Sequence, residues 1–300
     1  KRTLELRSEL PVIGLPIVQQ EARRELAGMY ALERRRPDFR KVTWQAYRNE
    51  VPERRHEPLA SRLRYEIEMV EPSVAIAQLE PALELDPADL YTRRALGIYH
   101  LEAGDAAAAR AYLIRCVQDE PNNPLMWEAW LRCLARVGES LQIERALRDV
   151  PKAAETSDVC WRFRAQLLSV LGRAQEAAQA ARKAVELNPY SSENHYQLGQ
   201  MLIRIGRQEE AQQHIARSKE LQDTWEQLYD TFARFRNQWS LLSTDQERCD
   251  LAYELGQLCE KIGWWRDAFG WYDVALNQVP THGPSIAARE RLQDRIREPL

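Results

Sequence analysis

The residues able to do chemistry in this 300-residue chain are five histidines, five cysteines and one dense run of rings. A histidine titrates near neutrality and serves as base or metal ligand, and a thiolate serves as nucleophile or soft ligand. The histidines are His56, His100, His195, His214 and His282; the cysteines are Cys116, Cys133, Cys160, Cys249 and Cys259. No CxxC occurs, and no cysteine stands at zinc spacing from a histidine. An odd number of scattered thiols excludes a disulfide scaffold and favours a reducing compartment, hence the cytoplasm. P-loop, GxSxG, HExxH, GxGxxG and kinase signatures are all missing from the sequence. No enzyme activity, catalytic residue, metal or cofactor is therefore expected. The rings stand in KIGWWRDAFGWYDVALNQVP (261–280), where Trp264, Trp265, Trp271 and Tyr272 fall within nine residues. Such a density builds a ligand cage, a stacking platform for bases, or packed core.

Composition narrows the choice. Hydrophobic content of 44% and charged content of 29% describe a globular or arrayed chain rather than a disordered one. A net charge of −3 argues against a general polyanion binder, so nucleic acid is not an expected partner. Only six of the 42 basic residues are lysine. Arginine forks onto carboxylates better than lysine does, so its placement matters. No apolar run reaches the length needed to span a bilayer, and no signal-like segment opens the chain. The sequence begins at Lys1 rather than methionine, which raises the expectation of a signal peptide, anchor or further domain upstream. An exported or anchored form thus stands beside the cytoplasmic one.

The elements that position these residues repeat. LGRAQEAAQAARKAVELNP (171–189) aligns with IGRQEEAQQHIARSKELQD (205–223), with LEAGDAAAARAYLIRCVQDEP (101–121) and with IGWWRDAFGWYDVALNQVP (262–280). Gly104, Gly138, Gly172 and Gly206 are spaced by 34 residues, Gly263 holds the same place further on, and Pro87, Pro121 and Pro189 keep the period. Gly97, Gly199 and Gly256 stand seven residues before an inter-helix glycine. Each unit carries two helical apolar stripes joined by a glycine turn, and proline ends the second. One hairpin cannot bury its apolar face alone, so the units must stack.

This pattern resembles the tetratricopeptide repeat family, W-x2-L-G-x2-Y, then A-x3-F, then P. The match is close in 90–123, 192–225 and 249–282. It is good in 158–191, where Ala165 replaces the helix glycine, and degenerate in 56–89 and 124–157. The resemblance implies an all-α fold: a right-handed α-solenoid of stacked antiparallel helix pairs, with six to seven units and one inserted helix. Five contiguous units are expected over 56–225, the inserted helix at 226–248, a further unit at 249–282 and a capping helix in 283–300. The inserted helix carries Leu228, Phe232, Phe235, Trp239 and Leu242 on one face, read as packing on the 192–225 unit, with a partner-binding face as the alternative. Thr244 and Glu247 form a capping-box pattern ahead of the next helix. Residues 1–55 are an N-terminal extension in which 10–16 should be extended and 19–36 helical. A cryptic repeat across about 21–54 is suggested by Gly28, Trp44 and Pro52, although Arg40 and Tyr47 stand where small residues belong.

The functional surface implied by the resemblance is the concave groove lined by first helices. Carried onto this sequence it comprises Arg64, Tyr91, Arg94, Ile98, Arg132, Arg136, Arg162, Gln166, Tyr196, Gln200, Arg204, Tyr253 and Gln257. Such a groove suits an extended or helical protein segment that carries acidic groups. The competing reading is an ordinary solvated face in an arginine-rich chain. Co-chaperone members of the family grip a C-terminal carboxylate with lysine and asparagine at set places, and neither frame of this sequence supplies that clamp. The expected role is a protein-interaction scaffold that assists complex assembly. The alternatives are a portion or accessory subunit of a larger complex and, third, a helical RNA reader. In the aromatic run, Trp265, Trp271 and Tyr272 fall in core register, and Trp264 is left as a candidate secondary contact.

Overall fold

Short polar side chains open the helices by taking up free N–H groups of the first turn. Asp89 accepts from the Tyr91 and Thr92 amides, Asp105 from Ala108, Asn123 from Leu125, Ser157 from Cys160 and Ser191 from Asn194. The expected capping box forms between Thr244 and Glu247. Four of the inter-helix glycines close the turns: Gly104, Gly172, Gly206 and Gly263 have φ of 87°, 75°, 78° and 77°. The amide after each bonds a carbonyl five residues back, at 2.9 Å in all four turns, which is the closure of a Schellman motif. Gly138, expected to act alike, does not: its φ is −76° and its ψ 139°. Arg34, at φ 54°, fills the left-handed position where no glycine is available, and the Arg35 amide again reaches five residues back, to the Tyr30 carbonyl at 2.8 Å.

The computed structural model describes residues 15–68, 70–138 and 140–297, all-α among those residues. The helices pack as antiparallel pairs, and the chain divides into two compact units. The unit Val70–Asp223 holds α4 (Pro72–Leu85), α5 (Leu90–Glu102), α6 (Ala106–Asp119), α7 (Pro124–Val137), α8 (Ser140–Asp149), α9 (Asp158–Val170), α10 (Ala174–Leu187) and α11 (Ser192–Arg204). The other unit, Lys1–Met69 with Thr224–Leu300, holds α1 (Leu15–Leu32), α2 (Arg36–Asn49), α3 (His56–Ile67), α13 (Asp245–Lys261), α14 (Trp265–Gln278) and α15 (Gly283–Leu292). Helix α12 (Gln208–Gln238) begins in the first and ends in the second.

Within Val70–Asp223, consecutive helices pack as pairs, and the first helices α5, α7, α9 and α11 also touch in succession. Small residues set the spacing. A Cβ on Gly97 would lie 2.5 Å from Leu113, and one on Gly199 would lie 2.7 Å from Ile215. Ala109, Ala165 and Ala177 are fully buried at comparable places. The core runs continuously from Ile98 to Ala211 through Trp127, Leu131, Leu167 and Leu198. The degenerate 124–157 unit shows its degeneracy as a second helix of ten residues followed by a 3-10 turn, Lys152–Thr156.

Several expectations change. Residues 226–238 form no helix of their own; they extend the second helix of the 192–225 unit to 31 residues. No glycine or proline interrupts 208–238, and the apolar stripe continues through Leu221, Leu228, Phe232 and Phe235, all buried. The rings of that stripe do not pack back as expected. Phe235 meets Trp271 edge-on at 5.0 Å, and Trp239 lies 5.2 Å from the His56 ring. The expected 56–89 unit is parted, with α3 in one compact unit and α4 in the other. Residues 10–14 lie outside the described residues, but Leu15 and Pro16 open α1 instead of extending. The expected single helix over 19–36 breaks at the Arg34 turn, and Arg36 begins α2.

Candidate interaction surface

Each first helix in Val70–Asp223 is tied to the loop ahead of it by one recurring bond. Arg93, Trp127, Trp161 and His195 stand 34 residues apart and all donate to a carbonyl six residues earlier. The acceptors are Pro87, Pro121 at 2.7 Å, Glu155 at 2.9 Å and Pro189 at 3.1 Å. Three side-chain types thus serve one backbone need, because a guanidinium, an indole and an imidazole each present an N–H at similar reach. The bond fixes the His195 tautomer: Nε2 carries the proton, so Nδ1 accepts from His214 Nδ1 at 2.9 Å. Burial pushes both histidines below their ordinary pKa, which keeps the pair neutral at pH 7.

The expected groove residues of these helices differ in exposure. On α11, Tyr196 and Arg204 are exposed and Gln200 half-buried; on α9, Gln166 is exposed and Arg162 half-buried; on α7, Arg132 and Arg136 are exposed. Side-chain contacts join neighbouring first helices, α7 to α5 and α11 to α9. Arg136 donates to the Leu101 carbonyl at 3.1 Å, Arg132 lies 3.7 Å from Glu102, and Arg204 donates to Ser169. A guanidinium at a helix C-terminus meets free carbonyls and the negative end of the dipole. The arginines therefore stitch the row together and still present charge to solvent. Helix α5 supplies less than expected. Tyr91 is half-buried, whereas Arg94 and Ile98 are each 4% exposed, and Ile98 belongs to the core. Neither is offered to a partner.

The repeat skeleton, the Schellman turns and the recurring loop bond coincide with a match of residues 180–213 to the family model described as Tetratricopeptide repeat. Residues 180–213 thus form a tetratricopeptide repeat. Solved structures similar to it include a MamA from Desulfovibrio magneticus RS-1 (19% identity, TM-score 0.44, covering 61% of this chain and 96% of that one). Another, titled MamA MSR-1 C2, is 22% identical with TM-score 0.41 and covers 56% and 94%. A chain of the APC/C hetero-tetramer Cut9-Hcn1 is 15% identical with TM-score 0.49 and covers 91% of this chain and 49% of that one. No curated protein matches.

The remaining expected groove residues lie in the other unit. Arg64 is exposed and pairs with Glu68 at 2.6 Å, and Gln257 is exposed. Tyr253 is occupied by packing, 5.5 Å from the Tyr272 ring and 5.0 Å from the His282 ring. Of the aromatic run, Trp271 and Tyr272 are core, at 0% and 1% exposed. Trp265 is not: as the first residue of α14 it is half-exposed, with the Arg295 guanidinium 4.4 Å over its ring. Trp264 meets Trp225 edge-on at 5.0 Å and has Arg62 over its face at 4.6 Å.

Residues that spacing alone did not single out gather around that ring. Glu66, 3% exposed, receives Arg62 at 2.7 Å, Arg40 at 3.2 Å and Arg36 at 3.5 Å. Burial alone would raise the Glu66 pKa; the three guanidiniums outweigh it and hold the carboxyl at about 2. Asp267 sits 3.4 Å from Arg62, its pKa pushed up by burial. The available signal was Arg40 itself, a long cation where the repeat wants a small residue. Cys249, Asp250 and His282 also bring one donor atom each within 4.8 Å, joining two adjacent residues to a third that is remote in sequence. Burial pushes the Cys249 thiol up to about 11, so it is protonated at neutral pH and metal binding would have to displace that proton.

Proposed function

We propose that this tetratricopeptide-repeat chain is a non-catalytic scaffold that holds an acidic segment of a protein partner along α7, α9 and α11. What supports this reading is that the successive first helices touch and that Arg132, Arg136, Gln166, Tyr196 and Arg204 on them are all exposed. Arginine forks suit carboxylates, and an exposed tyrosine adds apolar area at low entropic cost. Tyr196, 52% exposed, is the natural anchor. Long-range attraction between this row and an acidic segment would speed encounter and weaken with salt.

A photo-crosslinking residue at Tyr196 tests the proposal against one at Leu187, an exposed residue of the second helix α10. The expected result is a defined protein adduct at position 196 in the native extract. It should be absent at 187 and lost in the Arg132→Glu/Arg204→Glu variant while the circular dichroism stays unchanged. Equal labelling at both positions, or an adduct insensitive to charge reversal, overturns it.

A further inference from the structure

Around Trp264 the two acids do not serve the guanidiniums equally. Arg36, whose side chain is 65% exposed to solvent, Arg40 and Arg62 converge on Glu66, while the second acid, Asp267, is paired at 3.4 Å with Arg62 and acts on Arg40 only through space. Arg62 is satisfied, 5% exposed and held by both acids. Arg40 is not. Among the described residues its one carboxylate contact is the 3.2 Å bond to an oxygen already taken by Arg62 at 2.7 Å, and its Nε is buried without a hydrogen-bond partner. Burial and the neighbouring Arg62 both press its pKa downward. An under-compensated cation of this kind is costly in a partly dry site, and a bound anion would relieve it.

The same side chain lines a cavity of about 180 Å³ within the unit Lys1–Met69 with Thr224–Leu300. Arg40 and Arg62 stand on its wall with Trp44, Leu59, Trp264 and Trp265; Asp267, the one acid there, is the partner of Arg62. The Arg40 side chain keeps 37% of its exposure, so its guanidinium can be reached. Tryptophan walls that already carry the Arg62 and Arg295 guanidiniums on Trp264 and Trp265, next to an accessible Arg40, define a ligand type: a planar aromatic body with an oxyanion head. We propose that this pocket binds a small molecule of that class, its carboxylate or phosphate group paired with Arg40 and its flat body against the tryptophans. The pocket lies wholly in one unit and is independent of the α7–α9–α11 row.

Phenylacetate, phenyl phosphate, phenylacetamide and inorganic phosphate are suitable probes, titrated against the full chain at constant ionic strength. Tryptophan fluorescence and calorimetry would read binding. The expected result is saturable binding of phenylacetate or phenyl phosphate, the tighter of the two naming the head group. Phenylacetamide, which keeps the shape and loses the charge, should bind roughly ten-fold more weakly or worse, the factor a charge-assisted hydrogen bond supports. Arg40→Met should abolish binding with unchanged circular dichroism. Arg40→Lys, which keeps the charge and loses the fork, should weaken it several-fold and serves if the methionine variant does not fold. Four results overturn the proposal: no saturation by either anion, equal binding of the acid and its amide, inorganic phosphate binding as tightly as phenyl phosphate, or full binding by both Arg40 variants.

Discussion

Gly138 and Gly206 occupy the same place in the 34-residue period, yet the structure requires glycine at each for a different reason, and substitution should separate the two. Gly206 has φ 78° and open space where a Cβ would project. Alanine there meets only the left-handed backbone penalty of about 1–2 kcal/mol, offset in part by a gain of about 0.4–1 kcal/mol from the less flexible unfolded chain. The net loss is about 1 kcal/mol. Gly138 has an ordinary φ of −76°, but a Cβ would sit 2.5 Å from the Leu134 carbonyl oxygen and 3.0 Å from its Cα. Backbone must move, so alanine costs about 1–3 kcal/mol, the range for overpacking. Asparagine is the discriminating substitution. It tolerates the left-handed region, so Gly206→Asn should recover part of the loss seen with alanine. Gly138→Asn carries the same offending Cβ and should be no better than Gly138→Ala. A repeat array need not unfold in one step, so urea unfolding by circular dichroism should be paired with native-state hydrogen exchange of the amides in α7 and α11. Asparagine no better than alanine at 206, or a neutral alanine at 138, would refute the reasoning.

Three further outcomes are expected. The neutral His195–His214 pair has folded pKa values below the ordinary histidine value of about 6.5, so below that pH the unfolded chain binds more protons and stability falls. Melting temperature should therefore drop on acidification from pH 7.5 to 5. His195→Trp, which retains an N–H for the Pro189 carbonyl, should shallow that drop even with Glu210 and Arg182 still flanking His214. Trp127→Phe removes the donor to the Pro121 carbonyl from a side chain 5% exposed and should cost about 1–3 kcal/mol by urea titration, the penalty for an unsatisfied buried acceptor. The exposed equivalent, Trp161→Phe, should lose less. Tyr47→Phe deletes a buried bond to Asp273 Oδ2 of 2.9 Å and should cost about 1–2 kcal/mol, with hydrogen exchange accelerating in both α2 and α14; acceleration in α2 alone would count against the contact.

How much was legible in the sequence follows from the range of each interaction. Glycine turns, capping residues and small contact positions act within one unit, so their signals recur every 34 residues and survive even where the pattern decays. The exposure of Arg132, Arg136, Gln166, Tyr196 and Arg204 on first helices was legible for the same reason. Repeat register failed at Arg94 and Ile98, because it says which way a side chain points and not what covers it. The helix ending at Gln238 was misread because a period break was taken for a helix break, although no breaker residue stands between 208 and 238. Trp265 was placed in the core by register; a position at the first residue of a helix leaves a ring only half covered.

Arg40 and Tyr47 are the most instructive departures from the repeat pattern. As members of a cryptic repeat they were misfits, two large polar side chains in places that want alanine. Their partners lie far away in sequence: Tyr47 bonds Asp273, 226 residues on, and Arg40 bonds Glu66 beside a ring from residue 264. Asp273 is 5% exposed and also receives Arg55 at 2.5 Å and Arg289 at 3.5 Å. Nearby, Asn277 donates to the Pro52 carbonyl, and Leu59 fills the space above Gly270. Local periodicity cannot announce such pairs, because each half looks like a defect until the other is beside it. An apolar closure of the N-terminal helices onto the 249–282 repeat would have been at least as stabilising, since buried ion pairs seldom outperform packed hydrocarbon. What the charges add is selectivity: Asp273 accepts a hydroxyl and guanidinium groups at fixed positions, and a one-turn slip of α2 along α14 would leave that carboxylate buried and unpaired. The misfit residues of the N-terminal helices are thus what fixes their register, and the imbalance they leave at Arg40 is what makes the adjoining cavity a binding site rather than a void.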